Sequence, residues 1–204
     1  MSYVEAAVRR QQLIAAARAA LATHGVAKTS LRAIAAEAGV PLATMQYVFP
    51  SKQQLLRVVI EDVVEEISQV LAAAGATDRG LDHAVRQGLR TFWSQLVAGG
   101  GELQLLQYEL TTYALRTAGH EDLARHQYER YEAVVADWCR QAAEAADETS
   151  AVPFDRLASL LVAGVDGLIL QHLCNPDEVR SLDRLAGLAD MILLLADVRP
   201  ISKA

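Results

Sequence analysis

Apolar and polar residues alternate along most of this chain with a period near 3.6. Leu13, Ala17 and Leu21 recur at i, i+4 and i+8 with Ile14 beside them, which predicts a first helix over residues 4–23. "THGVAKTS" interrupts that stripe with a glycine suited to a C-cap, and it offers Thr29 or Ser30 to cap the next helix. Leu31, Ile34, Ala35 and Ala38 give a second helix over 31–38, stopped by Gly39, which is free to enter the left-handed region. Pro41, with its φ fixed and no donor to lose, suits the opening of a short third helix over 42–48. "FPSK" ends it, and Ser51 caps a fourth helix running to about Ala74.

The stretch "AAAGATDRG" reads as a linker. Longer helical segments come after it at about 81–98, 102–117, 120–147, 154–174 and 180–197. The breaks between them, "AGGGE", "TAGHED", "ADETSAVPF" and "CNPDE", each carry Gly, Pro or Asp. Alanine and leucine dominate, 52% of residues are apolar, and alternating β-branched runs are absent. The expected fold class is therefore all-α, with enough apolar surface for a substantial core. The pattern divides into a three-helix head at about 1–50 and a longer helical body at about 51–204.

Residues 31–48 have the layout of a helix-turn-helix, two short helices joined by a tight turn containing glycine. Ile34, Ala38, Val40 and Met45 form the small core between them, and Ala35 allows close approach. Leu42, Thr44, Gln46 and Tyr47 are left facing outward, where the second helix of such a unit meets the major groove. Charge supports that use. Residues 1–57 carry seven Lys/Arg against two acids, a balance of +5, whereas residues 58–204 carry twelve against twenty-three, a balance of −11. The net −6 thus hides a basic head on an acidic body, and a polyanion is drawn to one end only.

"TSLRAIAAEAGVPLATMQYVFPSKQQLL" resembles the DNA-binding signature of the TetR family of transcriptional regulators: a Thr, an Ile-Ala pair, Ala-Gly-Val, then a short helix ending before Ser-Lys-x-x-Leu. The similarity covers residues 9–57, and beyond it only the layout is shared. The chain departs from the pattern where many members carry an aromatic residue, here Gln46, and where they carry His or Tyr, here Val48. The resemblance implies phosphate contacts from this short helix, and Gln46 is also able to bond adenine bidentately. Lys52 is expected to pair with a phosphate at the start of the fourth helix. Thr29, Ser30 and Arg32 surround the second helix's N-terminus; each is a backbone contact, or a cap or solvated charge. Thr44 and Gln46 are the candidates for base reading. Tyr47 is either a core aromatic or a phosphate contact through its hydroxyl.

In the body, Phe92, Trp93, Tyr108, Tyr113, Tyr128, Tyr131 and Trp138 concentrate the aromatic residues. Any one ring is accounted for by core packing; as a set they suit the wall of a small-molecule pocket in a helical bundle. The resemblance implies an effector there, and Phe92, Trp93, Tyr108, Glu109, Tyr113, Tyr128 and Tyr131 are its expected contacts. Glu109 either meets a cationic group or is simply solvated. Leu157, Leu161, Gly164, Val165 and Leu168 on one C-terminal helix, with Leu185, Leu188 and Ile192 on the next, predict a homodimer seam of four helices about a two-fold axis. Asp166 in that segment is a satisfied buried group or a pocket residue.

Catalysis is not expected. No HExxH, GxSxG, CxxC or glycine-rich phosphate loop occurs among His24, His83, His120, His126, His172 and their neighbours. His172 and Cys174, two apart on a helix, point to different sides. Cys139 and Cys174 give neither a disulfide framework nor a metal pattern, so no metal or cofactor is expected. The apolar stretches "LASLLVAGVDGLILQHL" and "MILLLA" are too short or interrupted for a bilayer, and the N-terminus lacks a signal-peptide layout, which points to the cytoplasm. The expected function is a ligand-released repressor that binds a pseudo-palindromic operator in double-stranded DNA as a dimer. The alternative is a helical homodimer that binds a small molecule or protein without specific DNA binding.

Overall fold

The computed structural model describes residues 3–73, 79–98 and 101–201, with side chains from residue 7 onward. Most of the expected linker, residues 74–78, lies outside the described residues, as do residues 99 and 100 of "AGGGE". The helices are α1 (Tyr3–His24), α2 (Leu31–Glu37), α3 (Leu42–Val48), α4 (Lys52–Ala73), α5 (Gly80–Phe92), α6 (Gly101–Arg116), α7 (Glu121–Ala145), α8 (Phe154–Cys174) and α9 (Glu178–Ala196). A π-helical turn, Trp93–Val97, prolongs α5. The expected all-α fold is what the structure shows, with one addition. Two short strands, β1 (Glu148–Thr149) and β2 (Arg199–Pro200), pair antiparallel, with Glu148 opposite Pro200.

The chain forms two compact units, Met1–Val63 with Glu102–Tyr128, and Val64–Gly101 with Glu129–Ala204. In the first, Leu13, Ile14, Ala17 and Leu21 of α1 are buried with Ile34, Met45, Phe49, Leu55 and Leu56. The caps reflect the local chemistry. Ser30 accepts from Ala33 N–H at the start of α2, and Ser51 accepts from Gln54 N–H at the start of α4. Gly39 at φ +65° ends α2, and Pro41 opens α3.

The second unit centres on Leu81, Val85, Trp93, Trp138, Leu157, Leu161, Leu185 and Ile192, all buried. The strand pair serves α5: Glu148 accepts from Leu81 N–H at 2.7 Å, giving a carboxylate partner to an otherwise open helix N-terminus. Burial pushes the Cys139 thiol up to about 12, so it stays protonated and unreactive. α8 corrects one expectation, because by length and composition alone it is long and apolar enough to cross a membrane. Its Leu157, Ala158, Leu161, Val162 and Ile169 are nevertheless buried in the chain's own core.

Two glycines set helix separations in this unit. A Cβ on Gly164 would stand 2.6 Å from Leu188 Cδ1, so the small residue at 164 serves the α8–α9 contact within one chain. A Cβ on Gly88 would stand 2.3 Å from Cη2 of Trp138, a rigid ring that is itself buried. Gly88→Ala is expected to cost about 1–3 kcal/mol through overpacking, read as a lower urea midpoint with an unchanged m-value.

Candidate DNA-reading head and its attachment

α3 is held by a single fully buried anchor, Met45, and is followed by the buried Phe49. Val40 N–H bonds Ala35 C=O at 2.9 Å across the turn, and the Ala35 side chain is buried. Arg10 of α1 lies over the Phe49 ring at 5.6 Å. With Met45 turned in, Gln46 and Tyr47 must turn out. Both are exposed, and Tyr47 is 89% exposed, too far from any packing partner to be a core aromatic. Leu42 and Thr44 are half-buried, while Ser30 and Arg32 are exposed beside the α2 N-terminus. Outward polar groups on α3, flanked by a cation, form a face with donors of the kind that bond phosphates and base edges.

Two residues expected at that face are turned away from it. Thr29 is buried, and its hydroxyl donates to Gly25 C=O at 2.7 Å. The α1 C-terminus leaves carbonyls without intrahelical partners, and a short hydroxyl four residues on is placed to serve one. Lys52 reaches inward as well. Its ammonium donates to Val26 C=O at 2.5 Å and lies 4.6 Å from the centre of the Tyr113 ring. Burial lowers the Lys52 pKa from its ordinary value.

The other side of the same peptide is held too. Val26 N–H donates to Glu109 Oε2 at 2.8 Å, and Gly25, at φ +81°, brings the backbone against that carboxylate. A Cβ at Gly25 would lie 3.1 Å from Glu109 Oε2. Glu109 and Tyr113 are one turn apart on α6, so one helix face holds the Val26 N–H directly and its C=O through Lys52 of α4. The Gln53 side-chain amide, donating to Gly119 C=O, and the His126–Glu61 pair at 2.5 Å add further ties within this unit. Sequence reading did not find the role of Val26, since nothing in an apolar residue marks its peptide as a tether. The one available signal was the glycine before it.

The expected effector residues divide between the units. Tyr108, Glu109, Tyr113 and Tyr128 belong to the first, whereas Phe92, Trp93 and Tyr131 belong to the second. Glu109 and Tyr113 are brought together on the tether just described. Trp93 is fully buried and meets His172 edge-on at 5.3 Å, and it lines a cleft with Gln87, Arg90, Thr91, Ser94, Glu178 and Leu182. Of the expected seam, Leu157, Leu161, Leu185, Leu188 and Ile192 are enclosed by their own chain, and Gly164, Val165 and Leu168 are half-buried. Among the described residues, no group of three His, Cys, Asp or Glu is arranged to hold a metal ion.

Residues 13–59 match the model of the bacterial regulatory proteins of the tetR family, and residues 82–195 match the tetracyclin repressor-like C-terminal domain. The chain belongs to the TetR family. It is a DNA-binding transcriptional regulator of a family that is generally non-enzymatic. A relative is the HTH-type nicotine-responsive transcriptional repressor HdnoR of Paenarthrobacter nicotinovorans, 32% identical over 189 residues, which cover 91% of this chain and 94% of that one. Among solved structures, a TetR-family regulator from Rhodococcus sp. superposes with a TM-score of 0.76 at 19% identity, covering 92% of this chain and 98% of that one. The multidrug binding protein EbrR, complexed with imidazole, gives a TM-score of 0.64 at 29% identity over 88% and 94% of the two chains.

The tether is testable in isolation. Glu109→Ala leaves a buried amide without its acceptor, for an expected loss of about 1–3 kcal/mol. Its signature is local. Hydrogen exchange at Val26 and Thr29 should accelerate in the variant more than at Leu13 or Ile14 of the α1 core.

Proposed function

We propose that this TetR-family chain is a ligand-released repressor that binds a pseudo-palindromic operator as a dimer. The observation that carries the proposal is the tether. Glu109 and Tyr113 of α6, with Lys52, hold the α1–α2 turn, so a displacement of α6 cannot leave the helix-turn-helix undisturbed. A ligand releases DNA only by binding the DNA-incompetent state more tightly than the competent one. Similarity to a nicotine-responsive repressor supports both the sense of regulation and a small organic effector, and makes nitrogen-containing ring compounds the first class to screen.

Arg32 and Ser30 are the phosphate contacts in this proposal, and Gln46, Tyr47 and Thr44 are the groups that meet the groove. Thr29 and Lys52 drop out of the DNA-contact set because their polar atoms are engaged inside the unit.

The dimer seam passes from the enclosed leucines to the outward face of the same two helices. Leu160, Ala163, Gly167 and Leu170 of α8 are exposed at spacings of three, four and three. Gly187, Met191 and Leu194 of α9 continue the pattern at four and three, with Met191 and Leu194 64% and 84% exposed. A Cβ on Gly167 would meet nothing within 4 Å, so its smallness serves no contact within the chain. Two adjacent helices with apolar stripes at heptad-like spacing suit four-helix packing about a two-fold axis.

Gln46→Ala is expected to relax sequence preference, whereas Arg32→Ala weakens all duplexes about equally and lowers the salt slope by about one. Competition binding across a salt series distinguishes the two, and equal behaviour of the variants defeats the division between reading and anchoring. For the seam, Leu170→Glu with Met191→Glu should convert a dimer to a folded monomer in light scattering with unchanged helical content. A dimer that survives both charges places the seam elsewhere.

A further inference from the structure

Two glutamines of the first unit, Gln104 of α6 and Gln127 of α7, are each only 2% exposed. Long amides are rarely taken that far from water, because their polar atoms must then be satisfied inside the chain. Gln127 meets that need on one turn of α6. Its amide nitrogen donates to Gln107 C=O at 3.4 Å, and its Oε1 lies 3.2 Å from the Thr111 hydroxyl. The Thr111 hydroxyl is also 3.1 Å from Gln107 C=O, so a single proton faces two acceptors. That carbonyl already accepts the helical N–H of Thr111 and the Gln127 amide, which fills both of its lone pairs. The hydroxyl proton therefore goes to Gln127 Oε1, and the glutamine grips α6 as donor and acceptor at once.

A two-point grip of this kind is specific to register. Gln107 and Thr111 are one turn apart, and sliding α6 by a single residue shifts them about 1.5 Å and rotates them about 100°, which breaks both bonds. Apolar contacts between the same helices tolerate small slides better, since their attraction has no direction. Between the two gripped residues stands Glu109, whose carboxylate holds Val26 N–H at 2.8 Å, and Tyr113, beneath Lys52, follows within the next turn. The turn of α6 that α7 fixes is the turn that holds the head.

We propose that Gln127 is a positioning residue for DNA binding: it sets the register of α6 on α7, and so the placement of Glu109 and Tyr113 against the α1–α2 turn. The proposal deepens the ligand-released reading by naming the contact that a displacement of α6 must break, and it rests on that reading for its regulatory meaning.

The test separates position from stability. Thr111→Val with Gln127→Leu replaces both partners by apolar groups of similar shape, so the double variant should keep the urea midpoint of the unaltered chain. It should nevertheless exchange the Val26 amide faster. It should also bind about tenfold more weakly to a duplex selected on the unaltered chain from random-sequence DNA. Thr111→Ser, which keeps the hydroxyl and loses the methyl, should bind that duplex like the unaltered chain, whereas Thr111→Val should not. A role in packing alone gives the reverse order, and this comparison stands if the double variant fails to fold. The reverse order, or a double variant with unaltered Val26 exchange, overturns the proposal. Faster Val26 exchange with unchanged DNA affinity confines Gln127 to the α6–α7 register and defeats the reading in which the tether governs the head.

Discussion

The Val26 peptide is the joint on which the DNA-reading head depends. Its N–H is held by Glu109 and its C=O by Lys52, and the Lys52 ammonium is seated over Tyr113. Val26 is fully buried, so neither polar atom has water as an alternative partner. The α1–α2 turn leads into the helix-turn-helix of α2 and α3 and lies outside it. Here it is fixed by two ionisable side chains, which make stronger hydrogen bonds than neutral groups. The direction in which α1 hands over to α2, and so the placement of α3, depends on where α6 stands.

Much of the head was legible in the sequence because its determinants are local. Gly39, Pro41 and Ser51 act within one to three residues of their own positions, and the α3 boundaries at 42 and 48 match the expectation. Met45 was read as core from its place in the pattern, and it is buried, as is Phe49 just beyond α3. The use of Lys52 and Glu109 was not legible. From sequence, a lysine at a helix N-terminus facing a polyanion and a glutamate on an amphipathic helix are surface charges. Their real partners lie 26 and 83 residues away, and both are backbone atoms, which no side-chain pattern announces.

The C-terminal helices show a different limit. Apolar residues nearly encircle α8, so periodicity establishes that two faces are covered without saying which face meets which neighbour. Within the chain, Gly164 decides the matter. Leu188 fills the space that a side chain there would need, which assigns the Leu157–Leu161 face to α9 and the core. The opposite face, with Leu160, Gly167 and Leu170, is left apolar and exposed. A monomer in water has little use for a heptad-like apolar stripe across two adjacent helices, and this is the stripe that the proposed dimer seam covers.

The magnitudes decide how such a joint can act as a switch. Charge-assisted hydrogen bonds of the kind made by Glu109 and Lys52 contribute about 1.5–3 kcal/mol each. Moving a population from one part in a hundred to ninety-nine needs about 5.5 kcal/mol of differential binding. One chain's tether is therefore smaller than, or at most comparable with, the difference that a decisive switch requires. In the proposed dimer, two chains acting on one operator change the balance, because both heads must keep the half-site spacing at once and loosening either forfeits the match. The ligand need not break a head outright in each subunit. It needs only to prefer the state in which α6 no longer presents Glu109 and Tyr113 to the turn, and the shared operator multiplies that preference.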